Sequence, residues 1–281
     1  MSAIKGKCGT DCNTCQFKEK FNCGGCVEQE GKIFWGECDI YKCAATRGLK
    51  HCGECNKLPC QELTTFIENG HNPNRLSNLN KWKEAELKTI AIKPLTSELN
   101  ADYLDFFDNR AFTDNNPNGP CYCTSPNQSE EDIKQMVSEF KIYGVKETVR
   151  KYAVEMLNEN KIQGYLAYDG ELSIGWCNAA DMESYDGFVP EYARENSCGK
   201  TISIVCFEIA PEYRGMGIAS AFIDKVCSDA KMNGYVAVEG YANISEKRND
   251  FDFQGPVRLY AKAGFVEVAR ENGQIVMRKM L

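Results

Sequence analysis

Histidine is almost missing from this chain: His51 and His71 are the only two in 281 residues, and both lie in or beside the first 70. A histidine-based catalytic triad in the rest of the sequence would have to take its base from elsewhere. Long apolar runs are missing too. No stretch approaches the roughly 18 consecutive apolar residues of a membrane span, and Met1 to Gly9 (MSAIKGKCG) lacks the apolar segment of a secretory signal. A cytoplasmic protein with no membrane partner is expected. Basic charge is also short, with 33 Lys+Arg against 40 Asp+Glu and a formal net charge of −7. Phosphate neutralisation supplies most of a nucleic-acid binder's affinity, so without a basic patch or stripe no nucleic-acid partner is expected.

What is present is an ordinary globular composition, 43% hydrophobic and 26% charged, which excludes disorder and allows a sizeable core. At roughly 100 to 200 residues per domain, 281 residues predict one small module and one medium domain. The cysteines divide the chain in the same way. Ten of the 16 fall in residues 1–60, and the other six are spread over the remaining 221 residues. Residues 1–60 carry nine Lys+Arg against seven Asp+Glu, leaving 24 against 33 for residues 61–281. An acidic second part suits a cationic substrate such as an amine.

In a reducing cytosol, clustered thiols point to metal rather than to disulfides. The spacing contains three Cys-x-x-Cys pairs, Cys12/Cys15, Cys23/Cys26 and Cys52/Cys55, with Cys8, Cys38, Cys43 and Cys60 around them. Two intervening residues let both thiolates of a pair reach one ion about 2.3 Å from each sulfur. Gly24-Gly25 permits the tight backbone of the second pair. Tetrahedral zinc takes four ligands, so these ten cysteines could fill two sites with two left over, or His51 could replace one. About two structural zinc ions are expected. The rival is an iron–sulfur cluster, because Cys8-x-x-x-Cys12-x-x-Cys15 matches a four-iron spacing, although that pattern normally belongs to a much larger barrel. Some 60 residues with few Leu, Ile and Val need such a staple to fold. The pattern CGTDCNTCQF, CGGC, CDIYKCAATRGLKHCGECNKLPC resembles a bacterial family of small cysteine-rich domains of unknown function over residues 8 to about 66.

Residues 59–68 (PCQELTTFIE) read as a helix with Leu63, Phe66 and Ile67 on one face and a stop at Asn69-Gly70. His71 to Asn74 read as a turn and Leu76 to Leu87 as a connecting helix. The expected organisation is therefore a cysteine-rich domain over residues 1–70, a helical connector over 71–87 and a second domain over 88–281.

In that second domain, residues 88–95 alternate like a strand, 99–112 read as a helix, and 129–158 read as a long helical region. Asp169-Gly170 between two alternating runs marks a hairpin. Residues 201–210 (TISIVCFEIA) form a long apolar strand that runs through PEYRGMGIA into a helix with its core stripe at Ala219, Phe222, Ile223, Val226, Cys227 and Ala230. Gly215 and Gly217 remove the side chains that would hold a ligand away. The helix N-terminus then offers free N–H groups to an anion, naturally a phosphate. A strand at 235–241, a short helix at 257–263, and strands at 264–269 and 274–279 complete the domain.

YRGMGIA after a long strand, followed some 45 residues later by LYAKAGF, resembles the GNAT superfamily of N-acetyltransferases across residues 88–281. The resemblance implies an α/β (α+β) fold: a mixed sheet of six or seven strands with four helices. It also implies an acetyl-CoA co-substrate. Its pyrophosphate would lie on the main chain at Arg214, Gly215, Met216, Gly217, Ile218 and Ala219. Its pantetheine arm would pair with the strand at Phe207, Glu208 and Ile209, where an N–H polarises the thioester. Glu212 stands where many members carry Gln or Arg. Tyr260 matches the catalytic tyrosine, an acid for the departing thiolate that also contacts the cofactor. Glu208 and Glu239 are each the single charge in an apolar strand and are the candidate bases for the amine. Residues 112–123 and 181–196 are expected to border the acceptor. The expected activity is acetyl transfer to a primary amine of a small molecule or peptide. The alternative is a non-catalytic acyl-CoA-sensing protein whose zinc module recruits a protein partner. Under either reading a protein partner or a homodimer is an expected possibility.

Overall fold

A computed structural model describes every residue except 1–3, 56, 70–71, 88, 186, 244–251 and 272. The chain forms two compact units, residues 1–89 with 212–216, and residues 90–211 with 217–281. Among the described residues no helix is long and apolar enough to cross a membrane.

The first unit contains helix α1 (Phe17–Lys20), a two-stranded antiparallel ribbon of β1 (Lys32–Ile33) and β2 (Gly36–Glu37), and helices α2 (Asp39–Thr46), α3 (Gln61–Glu68) and α4 (Asn74–Leu87). Its buried core consists of Ile40, Ala44, Leu63 and Leu79 with Cys8, Cys38 and Cys52. A core this small is a weak basis for folding without a staple. Helix α4, read from its sequence as a connector, places Leu79 in that core, and Asn78 donates to the carbonyl of Gly9 at 2.9 Å. The expected turn residue His71 lies outside the described residues.

The second unit is built on a seven-stranded sheet of β3 (Ile90–Pro94), β4 (Gly164–Asp169), β5 (Leu172–Asp181), β6 (Thr201–Ile209), β7 (Ala237–Asn243), β8 (Val266–Glu271) and β9 (Gln274–Met280). Its order is β3-β4-β5-β6-β7-β9-β8, with β6 and β7 parallel and every other pair antiparallel. This is the mixed sheet expected. The described helices number six rather than four: α5 (Asn100–Asn109), α6 (Glu130–Tyr143), α7 (Val145–Asn158), the short α8 (Glu191–Glu195), α9 (Ile218–Met232) and α10 (Val257–Lys262). One extra helix arises because residues 129–158 are not continuous. Gly144, at φ +85°, ends α6 and starts α7, a conformation that costs a glycine little. Ser129 and Asp132 form a capping box that fixes the start of α6.

The hairpin closes on the pair Asp169–Leu172, with Gly170 at φ +61° in the turn. Strand β5 is buried on both faces from Ser173 to Ala180, which makes it central rather than half-exposed. Helix α9 buries Ile218, Phe222, Ile223, Val226, Cys227 and Ala230. Ala219, expected in that stripe, is only half-buried, and Ile218 takes its place. Each large apolar side chain so buried contributes about 1.5–3 kcal/mol. That burial holds the N-terminus of α9 directly after β6.

Candidate functional site

The site begins with a defect in β6. Asn178 of β5 pairs with Cys206 and Ala179 with Ile204, so Val205 is an extra residue with no partner across the strand. Such a bulge bends its strand and increases the local twist. Parallel pairing with β7 runs from Thr201–Ala237 to Ile204–Gly240 and stops there, although both strands continue. The two strands therefore part immediately beyond the bulge.

Tyr260 lies at this parting. It is fully buried, and its hydroxyl donates to the carbonyl of Gln254 at 2.8 Å. Its ring occupies the space above Gly240, where a β-carbon would come within 2.1 Å of Cε1. Burial holds its hydroxyl well above the ordinary tyrosine range, so it is protonated at neutral pH. On the other side of the gap, Phe207 donates its N–H to the carbonyl of Phe253 at 2.6 Å. Segment 252–256 is tied down further, because Gln274 donates to the side chain of Gln254 at 3.2 Å and Asn243 to Asp252 at 2.9 Å. A backbone donor of β6 that the sequence assigns to the cofactor is thus paired within the chain.

The two carboxylates have different surroundings. Glu239 is completely buried beside Arg278, its direct cross-strand neighbour, whose Nε donates to it at 2.6 Å. Burial raises its pKa, and the guanidinium works against that shift. Tyr241 also reaches Glu239 at 3.5 Å and meets Ser203 at 2.6 Å. Glu208 is buried on β6. Burial chiefly pushes up the Cys121 thiol, and a hydrogen bond to Cys123 followed by burial pushes up that of Cys206, with the Glu208 carboxylate adding a smaller push to each. Loop residues Tyr122 and Cys123 both adopt left-handed backbone, at φ 46° and 47°, a conformation that non-glycine residues hold only when their surroundings impose it. The Tyr122 hydroxyl donates to Asp108, which Arg150 also binds at 2.9 and 3.0 Å. Asn178 of β5 reaches the Cys123 carbonyl at 3.4 Å.

After β6 the chain passes through Pro211–Tyr213, then Gly215 at φ +81° and Gly217 at φ +103°, and enters α9 at Ile218. Both glycines occupy the left-handed region that their lack of a side chain allows. The first turn of α9 presents N–H groups with no acceptor inside the helix, next to its positive dipole end.

In the first unit the ten cysteines divide into four and six. Cys43, Cys52, Cys55 and Cys60 line a cavity of about 20 Å³. There Arg47 donates to Cys55 Sγ at 3.0 Å and the Lys57 N–H does so at 3.4 Å. Four thiols around a space of ion size are a candidate donor set for a metal ion once their side chains close on it. Cys8, Cys12, Cys15, Cys23, Cys26 and Cys38 line a second cavity of about 750 Å³. Among the described residues, the one triad of potential ligand atoms lying within 4.8 Å of each other is His51, Glu54 and Glu86, so no three thiols are that close. His51 is committed within the protein: Nδ1 accepts from Gly53 at 3.0 Å and Nε2 meets Glu86 at 3.1 Å. It lines neither cysteine cavity.

The sequence pattern of the Acetyltransferase (GNAT) family matches residues 129–265, and that of a family of proteins of unknown function, DUF3795, matches residues 16–65. The chain carries a GNAT acetyltransferase domain. A DUF3795 domain precedes it. Among solved structures, the PaiA N-acetyltransferase of Thermoplasma acidophilum in complex with coenzyme A is 16% identical, with 68% of this chain and 99% of that one covered at a TM-score of 0.38. A mosquito arylalkylamine N-acetyltransferase-like protein is 11% identical, with 68% and 100% covered at a TM-score of 0.41. YncA of Salmonella typhimurium, solved with acetyl-CoA, is 14% identical, with 69% and 94% covered at a TM-score of 0.38. No curated protein matches the chain.

Several residues of the candidate site escaped sequence reasoning. Phe253 and Gln254 lie between motifs, and no periodicity marks them. Gly240 was detectable, because an isolated glycine within a strand signals a close approach, here by Tyr260. Arg278 gave no local sign of its pairing with Glu239.

Proposed function

We propose that the protein is an acetyl-CoA-dependent N-acetyltransferase that acylates a primary amine of a small molecule or peptide. The observation that carries this reading is the parting of β6 and β7 beyond Ile204–Gly240, with Tyr260 at the parting and the Gly215/Gly217 turn at the end of β6. Acetyl-CoA would lay its pyrophosphate on the main chain from Arg214 to Ala219 and its pantetheine arm along Phe207 to Ile209. The Phe207 N–H would then leave the Phe253 carbonyl and donate to the thioester oxygen, stabilising the developing oxyanion. An alkylamine of pKa about 10.4 must lose a proton before it attacks. Glu208 is assigned that proton. The Arg278 partnership of Glu239 supports a structural ion pair there. Tyr260, protonated at neutral pH, delivers its proton to the departing thiolate.

The four-cysteine cavity is assigned a structural zinc ion, held by Cys43, Cys52, Cys55 and Cys60 after their side chains close on it. The ion neutralises thiolates and ties α2 to the chain leading into α3. Four protein ligands leave it no open position for chemistry.

The test is a mass-spectrometric screen of an amine and peptide library with acetyl-CoA. Acceptor-dependent appearance of acetylated product is expected. Saturable acetyl-CoA binding with no acetylation of any amine would overturn the enzyme reading in favour of a sensor.

A further inference from the structure

Six cysteines line one open cleft in the first unit: Cys8, Cys12, Cys15, Cys23, Cys26 and Cys38. They comprise two chelating Cys-x-x-Cys pairs, Cys12/Cys15 and Cys23/Cys26, and two single residues. One tetrahedral ion takes four thiolates, and so does a four-iron cluster, so either would leave two of the six idle. Two ions that share two thiolates use all six. Each ion then has two ligands of its own and two in common.

Backbone contacts bring both pairs and both single residues to one centre. Gly25, inside the second pair, has φ +92°, and a β-carbon there would stand 3.3 Å from Cys12 Sγ of the first pair. Only glycine lets the two pairs approach so closely. The Lys7 N–H, next to Cys8 in the chain, donates to Cys26 Sγ at 3.4 Å. Gly31 links Cys38 to the same pair, since its N–H donates to the Cys26 carbonyl at 2.8 Å and its carbonyl accepts from the Cys38 N–H at 2.9 Å. Cys26 is therefore a neighbour of the other three groups. Cys8 is placed similarly. Burial chiefly pushes the thiols of Cys12 and Cys26 up to about 11, and charge on Cys8 adds to the shift at both. Cys8 and Cys26 are each 8% exposed, whereas Cys12, Cys15 and Cys23 are only half-buried. Cys38 is buried too, at the start of α2.

We propose that this cleft holds two zinc ions bridged by the thiolates of Cys8 and Cys26. Cys12 and Cys15 complete the tetrahedron of one ion, and Cys23 and Cys38 that of the other. The site is additional to the single ion assigned to the four-cysteine cavity, and it does not depend on the acetyl-transfer reading. Zinc binds thiolates, so each of the six thiols gives up its proton as it is bound, and no electron moves. Among the described residues no three of these thiols lie within 4.8 Å of each other, so binding turns the side chains inward, as the open cleft allows. Sharing makes loading cooperative, because the first ion deprotonates and positions Cys8 and Cys26 for the second. With four sulfur ligands on each ion, neither has an open position for chemistry, and the pair acts as a staple for residues 8–38.

The experiment uses the full chain, purified without oxygen and analysed for metals. About three zinc ions per chain are expected, one from the four-cysteine cavity and two from the cleft. About two per chain, or iron with visible absorbance, would overturn the paired site. Cys26→Ser removes a ligand from both ions of the cleft and should leave about one zinc; retention of two or more would overturn Cys26 as a bridge. A second measurement needs no variant to fold. Cobalt exchanged into the parent chain gives an electron paramagnetic resonance signal from each isolated ion, and a thiolate-bridged pair is spin-coupled. Three cobalt ions should therefore give about the intensity of one at low temperature, and an intensity near that of three would overturn the bridge.

Discussion

Replacing Tyr260 with phenylalanine separates packing from chemistry, because the two effects differ in size. The substitution removes only the hydroxyl, and the ring keeps its place over Gly240. The lost bond to the Gln254 carbonyl, 2.8 Å long and fully buried, costs about 1 kcal/mol of stability. In a domain of this size that lowers Tm by about 2–4 °C. If the same hydroxyl protonates the leaving thiolate, kcat should fall on the order of 10²-fold, or about 2.7 kcal/mol of activation free energy. A loss of that size well below Tm cannot come from the stability change. The assay is mass-spectrometric turnover of a verified acceptor, with calorimetry for acetyl-CoA, whose affinity should hardly change. Because burial keeps the hydroxyl protonated well above the ordinary tyrosine range, an alkaline fall in rate below about pH 9 must come from another group. Parent-like turnover by the mutant would refute the acid assignment, and a joint loss of affinity and rate would make Tyr260 a cofactor contact.

Four further outcomes follow from the same geometry. Gly217→Asp puts a side chain and a negative charge at a left-handed position before α9, so acetyl-CoA affinity should drop at least about tenfold, about 1.4 kcal/mol, with the fold retained; unchanged calorimetric binding would move the cofactor elsewhere. Gly240→Ala drives a methyl group to within 2.1 Å of the Tyr260 ring and should cost about 1–3 kcal/mol in urea unfolding, whereas parent-like stability would mean that the ring has somewhere else to go. Burial raises the Asp108 pKa, but its bonds to Arg150 and Tyr122 outweigh that and hold it below the usual carboxylate range. Its contribution is therefore present above about pH 4 and lost as pH falls through its lower folded value, so Asp108→Asn should lose less stability on acidification than the parent; equal acid sensitivity would contradict the pairing. Glu208→Gln should slow turnover on a verified acceptor, with a defect that shrinks as pH rises and more amine is already neutral; a pH-independent defect would indicate a substrate contact instead.

The local pieces of the GNAT domain were legible in the sequence by itself. The long apolar run at β6, the glycine pair before α9, the hairpin at Asp169-Gly170 and the pairing of YRGMGIA with LYAKAGF each depend on residues close in the chain. Hydrophobic period and backbone freedom act at that range. The same locality left residues 129–158 as one long helical region with no internal boundary, since one glycine within a periodic run does not announce that its φ will be positive. The Cys-x-x-Cys spacing marked the candidate metal ligands, but the division of ten thiols into four and six was not legible there. That division depends on how α2, α3 and the preceding loops pack, which places Cys8 and Cys38, 30 positions apart in the sequence, beside one cavity. Strand register alone set Arg278 opposite Glu239 and left Val205 without a partner, thereby parting β6 from β7. Arg75 carries no signal in its neighbours. Only tertiary packing buries its guanidinium and sets it over the ring of Phe66, because burial is a property of everything that surrounds a side chain and not of the segment that carries it.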